Sequence, residues 1–133
     1  MSAATPFEIP LAPRPEDIDA LGHVNNIVYV RWIQDVAAAH WRAITSPEQR
    51  AELAWVVVRH EIDYKVAARL GDRLVGRTFI GETSAVTCIR HTEIAYPGDA
   101  RTLVEARTKW CSVDPATGRP KRIPEPIRTR FAT

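Results

Sequence analysis

Asp17-Ile18-Asp19-Ala20-Leu21-Gly22-His23-Val24-Asn25-Asn26-Ile27-Val28-Tyr29 gathers two carboxylates, a glycine, a histidine and two asparagines into one short polar run. An amphipathic period begins directly after it. Asn25 or Asn26 suits the N-cap of a helix, because its side-chain oxygen can accept from a free N–H of the first turn. A helix N-terminus carries unpaired N–H groups and partial positive charge, which suits an anion. Acid groups and an oxyanion binder thus arise within about ten residues of one another, an arrangement with catalytic capacity.

From Asn26 to Ile44 the period is helical. On a 3.6-residue wheel Asn26, Tyr29, Ile33, Val36, Ala37, His40 and Ile44 share one side, and Arg31, Gln34, Asp35 and Arg42 the other. His40 is read as a core histidine. Ser46 followed by Pro47 predicts the cap and first residue of a short second helix. Upstream, Phe7–Leu11 alternates, but Pro10, Pro13 and Pro15 limit it to an edge strand, and residues 1–6 read as a loose end.

Downstream, Trp55–Val66 reads as a long strand with Val56, Val58, His60, Ile62, Tyr64 and Val66 on one face and Arg59, Glu61, Asp63 and Lys65 on the other. Three more strands follow, at about 73–82, 86–96 and 102–113. Turn residues such as Leu70-Gly71-Asp72 and Pro97-Gly98-Asp99 separate them by spacings that imply antiparallel hairpins. Gly76 and Gly81 inside a strand predict a strongly bent sheet. Residues 124–131 read as a last helical turn or two. One long helix ahead of a run of antiparallel strands is an α+β layout in a single domain spanning residues 1–133.

The run D-x-D-x-x-G-H-V-N-N-x-x-Y, continued by Val30-Arg31-Trp32-Ile33, resembles the signature of the hotdog-fold acyl-CoA thioesterases of the 4-hydroxybenzoyl-CoA thioesterase type. It is also similar to the corresponding loop of plant acyl-ACP thioesterases. The likeness extends to Glu61-Ile62-Asp63-Tyr64-Lys65, to Arg69-Leu70-Gly71-Asp72, and to Asp114 with Thr117-Gly118-Arg119-Pro120 and Arg122-Ile123-Pro124. It implies a hotdog fold, in which a curved antiparallel sheet wraps one long central helix. It also implies hydrolysis of a thioester to free acid and CoA. The alternatives are an acyl-ACP thioesterase and a non-catalytic acyl-CoA-binding protein on the same fold.

By this resemblance Asp19 falls on the catalytic aspartate, and the chemistry agrees: a carboxylate can attack a thioester carbonyl or activate water. The leaving thiol, with a pKa near ~8.5 by analogy with cysteine, departs with little acid assistance. Asp17 has the same chemistry but the weaker claim, and it is read as a brace. Gly22 supplies either a conformation or a close approach. The resemblance makes the N–H of Asn26 the oxyanion donor. His23 falls where plant acyl-ACP thioesterases carry a functional histidine, and assisting catalysis and holding the loop both stay open. Asn25 and Asn26 are caps first and substrate contacts second. Tyr29, one turn on, is core with its hydroxyl towards the pocket. Gly22, Asn25 and Tyr29 are thus the candidate substrate contacts.

His60 and His91 lack neighbours at metal-ligand spacing and are read as structural or surface residues; no metal and no cofactor is implied. Arg73, Arg77, Arg90, Arg107 and Lys109 are read as a solvated face, one or two of them holding CoA phosphates. The formal charge of +2 is too small to argue for nucleic acid. Cys88 and Cys111 fit reduced thiols, and no apolar run is long enough to span a membrane, so the cytoplasm is the expected location. One helix covers only part of a long sheet, and an uncovered regular strand at 55–66 would be a pairing hazard. A homodimer or a dimer of dimers is therefore expected, and the resemblance places the sites at the subunit interface.

Overall fold

The computed structural model describes residues 5–98 and 101–132. Strand β1 (Phe7–Leu11) leads through a single 3-10 turn to the polar loop and helix α1 (Asn26–Ile44). Helix α2 (Pro47–Glu52), strands β2 (Ala54–Tyr64), β3 (Leu74–Thr83), β4 (Thr87–Ala95) and β5 (Thr102–Val113), and helix α3 (Glu125–Phe131) follow. The five strands form one sheet in the order β1-β3-β4-β5-β2, every pair antiparallel. This is the hotdog layout expected from the sequence. Of the loose end expected at residues 1–6, residues 1–4 lie outside the described residues, as does Asp99 of the expected turn at 97–99.

Local chemistry sets the helix ends. Asn25 is the N-cap of α1, its side-chain oxygen accepting from the N–H of Ile27 at 3.2 Å. Ser46 and Gln49 form a reciprocal capping box on α2, with Pro47 in the first turn. Val28, Tyr29, Trp32, Ile33, Val36, Ala37 and His40 of α1 are buried. The buried stripe is therefore wider than the expected one, taking in Val28 and Trp32, while Asn26 stays exposed at the helix start. Two apolar clusters result. One joins Tyr29, Trp32 and Ile33 to Leu74, Ile94, Leu103 and Val104. The other joins Leu53, Ile80, Cys88, Ile127 and Phe131, with Trp41, Trp55 and Trp110 against them.

Strand β2 departs from simple alternation. Its register against β5 shifts between Val57 and Arg59, so Val58 is an extra residue. On one side of the shift His60 and Ile62 pair with Thr108 and Ala106; on the other, Trp55 and Val57 pair with Ser112 and Trp110. The inner face therefore reads Trp55, Val57, His60, Ile62, and Val56 and Val58 are exposed rather than sharing the face of Ile62. The strand also ends at Tyr64, two residues before the expected Val66.

The two strand glycines have different reasons. A Cβ on Gly76 would stand 2.5 Å from Cγ2 of Val36 and 3.0 Å from Leu11, so Gly76 lets α1 lie close on the sheet. A Cβ on Gly81 would meet the ring of His91 at 2.8 Å, within the stretch where the β3–β4 register shifts. Gly76→Ala should therefore lift α1 off β3 and cost about 1–3 kcal/mol. Calorimetry should find a melting temperature lower by on the order of 5 °C, and an unchanged value would mean that the helix is not held tightly there.

Candidate active site

The polar loop is built on Asp17. Its side chain is out of water, 3% of the residue being exposed. Both oxygens are engaged by Arg31 of α1, Nη1 to Oδ1 and Nη2 to Oδ2 at 3.0 Å each, and Oδ2 also accepts from the N–H of Arg14 at 2.9 Å. The hydrogen bonds from Arg31 are the main reason that its carboxyl group is held below the usual carboxylate range, against the opposing effect of burial. The backbone carbonyl of Asp17 accepts from Asn25 at 2.9 Å, which closes the loop at its base.

Ile18 and Val24 form a single antiparallel bridge, and Asp19–His23 is the tight turn beyond it. Asp19 is exposed, whereas Asp17, the last residue of the 3-10 turn, is buried. Its Oδ1 accepts from the N–H groups of Leu21 and His23 at 2.9 and 3.1 Å, while Oδ2 bonds no described group. The main chain of the turn is fixed too, with Asp19 N–H on the His23 carbonyl at 2.8 Å. Gly22 adopts φ +79°, and a Cβ there would meet nothing within 4 Å. Its role is thus conformational and not one of close approach.

The loop runs into α1 at Asn25. Ile27 N–H is taken by the Asn25 side chain and Val28 N–H by the Asn25 carbonyl at 2.9 Å. The N–H of Asn26 bonds no described group and is an open donor at the positive end of the helix. Asn25 and Asn26 are both exposed and His23 is half-buried. Tyr29 is buried; its hydroxyl accepts from the N–H of Ala68 at 2.8 Å, and its ring meets Trp32 and Tyr64 edge-on. Burial is the first reason that the Tyr29 pKa is raised. The carbonyl of Ala68 accepts from Val24 N–H at 2.9 Å. The connector between β2 and β3 is thereby tied to both the loop and the helix, a contact that the sequence alone did not signal.

Comparison with known proteins fixes the family. The family described as the Thioesterase-like superfamily matches residues 13–131. The chain belongs to that superfamily. It is 27% identical over 129 residues to the acyl-CoA thioesterase YbgC of Haemophilus influenzae, covering 94% of this chain and 93% of that one. Its fold is similar to that of a 1,4-dihydroxy-2-naphthoyl-CoA thioesterase from Synechocystis, with a TM-score of 0.82 at 21% identity over 96% of both chains. It is also similar to a thioesterase from Thermus thermophilus complexed with coenzyme A and Zn, with a TM-score of 0.81 at 23% identity over 93% of this chain and 90% of that one. Among the described residues of this superfamily member, no group of three His, Cys, Asp or Glu side chains could hold a metal ion. No helix is long and apolar enough to cross a membrane.

The basic residues expected on a solvated face of this thioesterase-superfamily chain divide into two groups. Arg77 and Arg107 lie on the outer side of the sheet in ion pairs with Glu8, Glu93 and Glu61, and Arg73 and Lys109 are exposed. Arg90 is instead buried, 5% exposed, because strand parity places it with Cys88, Thr92 and Ile94 on the inner face. Its Nη1 donates to Nδ1 of His40 at 2.9 Å and to Oγ1 of Thr78 at 3.0 Å. His40, stacked on Phe7, accepts as a neutral ring. Burial, and then the charges of Arg90 and Arg130, push its pKa down from 6.5 to about 4. His60 on the inner face of β2 pairs with Thr108 at 2.8 Å, and His91 stacks on Phe79 outside.

A histidine whose folded pKa is depressed contributes its full stability above the unfolded value of 6.5 and loses it progressively as pH falls towards 4. The loss from His40 is on the order of 3 kcal/mol when complete. Asp17, lowered from 3.8, acts only at still lower pH. His40→Gln keeps an acceptor for Arg90 and removes the titration. Melting curves between pH 7 and pH 4.5 should therefore flatten in this variant, apart from a smaller slope from His60, whose pKa burial also lowers. A slope as steep as that of the parent would remove His40 from the explanation.

Proposed function

We propose that the chain is an acyl-CoA thioesterase whose chemistry is carried by Asp19 and the start of α1. The observation behind this reading is the exposed Asp19 carboxylate, fixed through Oδ1, in a loop that runs directly into the open N–H of Asn26. The similarity to an acyl-CoA thioesterase over nearly the whole chain supports the substrate class. Asp19 either attacks the thioester carbonyl, giving an anhydride that water then opens, or takes a proton from the water that attacks. In both routes the carbonyl oxygen gains charge in the transition state and Asn26 N–H donates to it. One preorganised donor of this kind is worth about 3 kcal/mol. CoA leaves as thiolate. His23 assists from the far side of the turn, and Gly22 and Asn25 shape the contact with substrate.

Asp19→Asn suits the test, because an amide oxygen can still accept from Leu21 and His23 and so preserves the turn. Its kcat should fall by about 10²–10⁴-fold with unaltered melting. His23→Ala should cost less. Near-normal turnover by a folded Asp19→Asn chain would refute the assignment, and equal losses in both variants would make His23 a full partner.

The working form is a homodimer or a dimer of dimers, paired through β2. This strand is an edge of the sheet, eleven residues long, with no proline or lysine and with Val56 and Val58 exposed. Leu21 and Ile27, 79% and 73% exposed, flank the reacting groups, and Tyr64 at the end of β2 and Val66 and Leu70 on the connector tied to the loop are exposed. A two-fold contact buries such residues twice over. Val56→Lys with Val58→Lys would set like charges against each other across that axis. Sedimentation should show the wild type as a dimer or larger and the double variant shifted to monomer with lost activity. A wild-type monomer with full thioesterase activity would overturn this assembly.

A further inference from the structure

Beneath the C-terminal half of α1 lies a cavity of about 290 Å³. Helix residues Ala37, Ala38 and Trp41 form one wall, and Trp55, Trp110 and Arg90 the other. Ala37 lies eleven residues beyond Asn26, which on a helix is roughly 16 Å from the open N–H of the thioester site in the same chain. The walls are apolar and aromatic. None of the lining residues is acidic, although Arg50 and Arg90 both line the cavity.

The two cations differ. Arg50 is exposed in part, and its Nη1 donates to the carbonyls of Arg42 and Thr45 and to Oγ1 of Thr45, so it serves the end of α1. Arg90 is 95% removed from water and touches only neutral partners, His40 and Thr78, through Nη1. Among the described residues no carboxylate forms an ion pair with it. Burial lowers its pKa only from 12.5 to about 10, so it is charged at neutral pH. Nε1 of Trp110, on the same lining, is buried with no hydrogen-bond partner. An uncompensated buried charge is costly unless an acceptor carrying negative charge fills the place, and an unused buried donor on the same lining adds to that cost. Cys88, also on the lining, supplies none, because burial pushes its thiol up to about 11.

We infer that this cavity is a receptor for an organic carboxylate with a compact apolar or aromatic tail, the carboxylate on the Arg90 guanidinium and the tail between Trp41, Trp55 and Trp110. A carboxylate matches the guanidinium fork and accepts from an indole N–H. A cavity of about 150 Å³ suffices for benzene, so the space here takes a ring and its acid group. A phosphate would leave oxygens against apolar walls. The acid has two chemical sources: a free carboxylic acid such as thioester hydrolysis releases, or the far carboxylate of a dicarboxylic acyl group still bound as thioester. The second rests on the hydrolase reading; the binding of a free acid does not.

The test titrates the full chain with sodium benzoate and with benzamide, its neutral counterpart, following the fluorescence of the cavity tryptophans. Benzoate should bind saturably and about ten- to hundred-fold more tightly than benzamide. Arg90→Met, close in volume, should abolish that preference. Ala38→Trp, at the exposed side of the cavity, should block both ligands without touching Arg90, and it keeps the test open should Arg90→Met not fold. Equal binding of benzoate and benzamide by the wild type, retained preference in Arg90→Met, or undiminished binding in Ala38→Trp would each overturn the inference. To separate the sources, kcat/KM is compared for a dicarboxylic monothioester and a neutral acyl thioester of the same length. A preference for the acid that Arg90→Met removes assigns the site to substrate, and a ratio unaffected by the variant assigns it to the free acid. Failure of catalysis alone leaves the fluorescence result standing.

Discussion

The bidentate pair between Asp17 and Arg31 is the constraint on which the site depends. It joins the loop to the helix that follows it, across fourteen residues of chain. The carboxylate is dry while the guanidinium side chain is 37% exposed, so only one ion bears the full cost of leaving water. With both Asp17 oxygens engaged, its main-chain carbonyl fixes Asn25 and closes the loop that carries the exposed Asp19. The bearing of that loop on the helix therefore follows from the anchoring of Asp17. Without the brace, the turn at 19–23 would keep its internal bonds but lose its bearing on the helix N-terminus.

The two carboxylates of the loop illustrate a division of labour set by solvent. The Asp17 carboxylate has exchanged water for a guanidinium and one backbone N–H, and has no freedom left to act on anything else. Asp19 retains water access, and one of its two oxygens bonds nothing among the described groups. The same side-chain chemistry thus serves architecture at one position and is available for reaction at the other. The ties from Ala68 to Val24 and to Tyr29 extend the brace to a third segment, so the site stands on the core and not on a free loop.

Much of this was legible in the sequence because local signals dominate where the elements begin and end. The Asn25 cap, the Ser46–Gln49 box and the turn glycines act over three or four residues, and α1 and β5 occupy the spans expected of them. The burial of Asp17 beside an exposed Asp19 was not legible, since alternation alone would put residues two apart on one side. The bulge at Val58 was not, since Val56-Val57-Val58 offers an equally good apolar residue in either register, and only Trp55 packing against Phe131 and Trp41 distinguishes them. Arg90 departs from the solvated face of its basic neighbours. The alternation of Cys88, Arg90, Thr92 and Ile94 in β4 held the signal, but a charge on an inner face contradicts the usual expectation. The hydrogen bond from Ala68 to Tyr29 spans 39 residues and leaves no local pattern.

The two edges of the sheet are unlike. The edge at β1 is five residues long and is interrupted by Pro10, with Pro6 and Pro13 just outside it. The edge at β2 is more than twice that length and has no such interruption. A sheet with one blunted and one open side can add a copy of itself in a single direction only. If two open sides met across a two-fold axis, both outer margins would be the proline-bearing ones, and strand addition would have nowhere to continue. Growth by that route would be self-limiting: an asymmetry that admits one partner also guards against fibres.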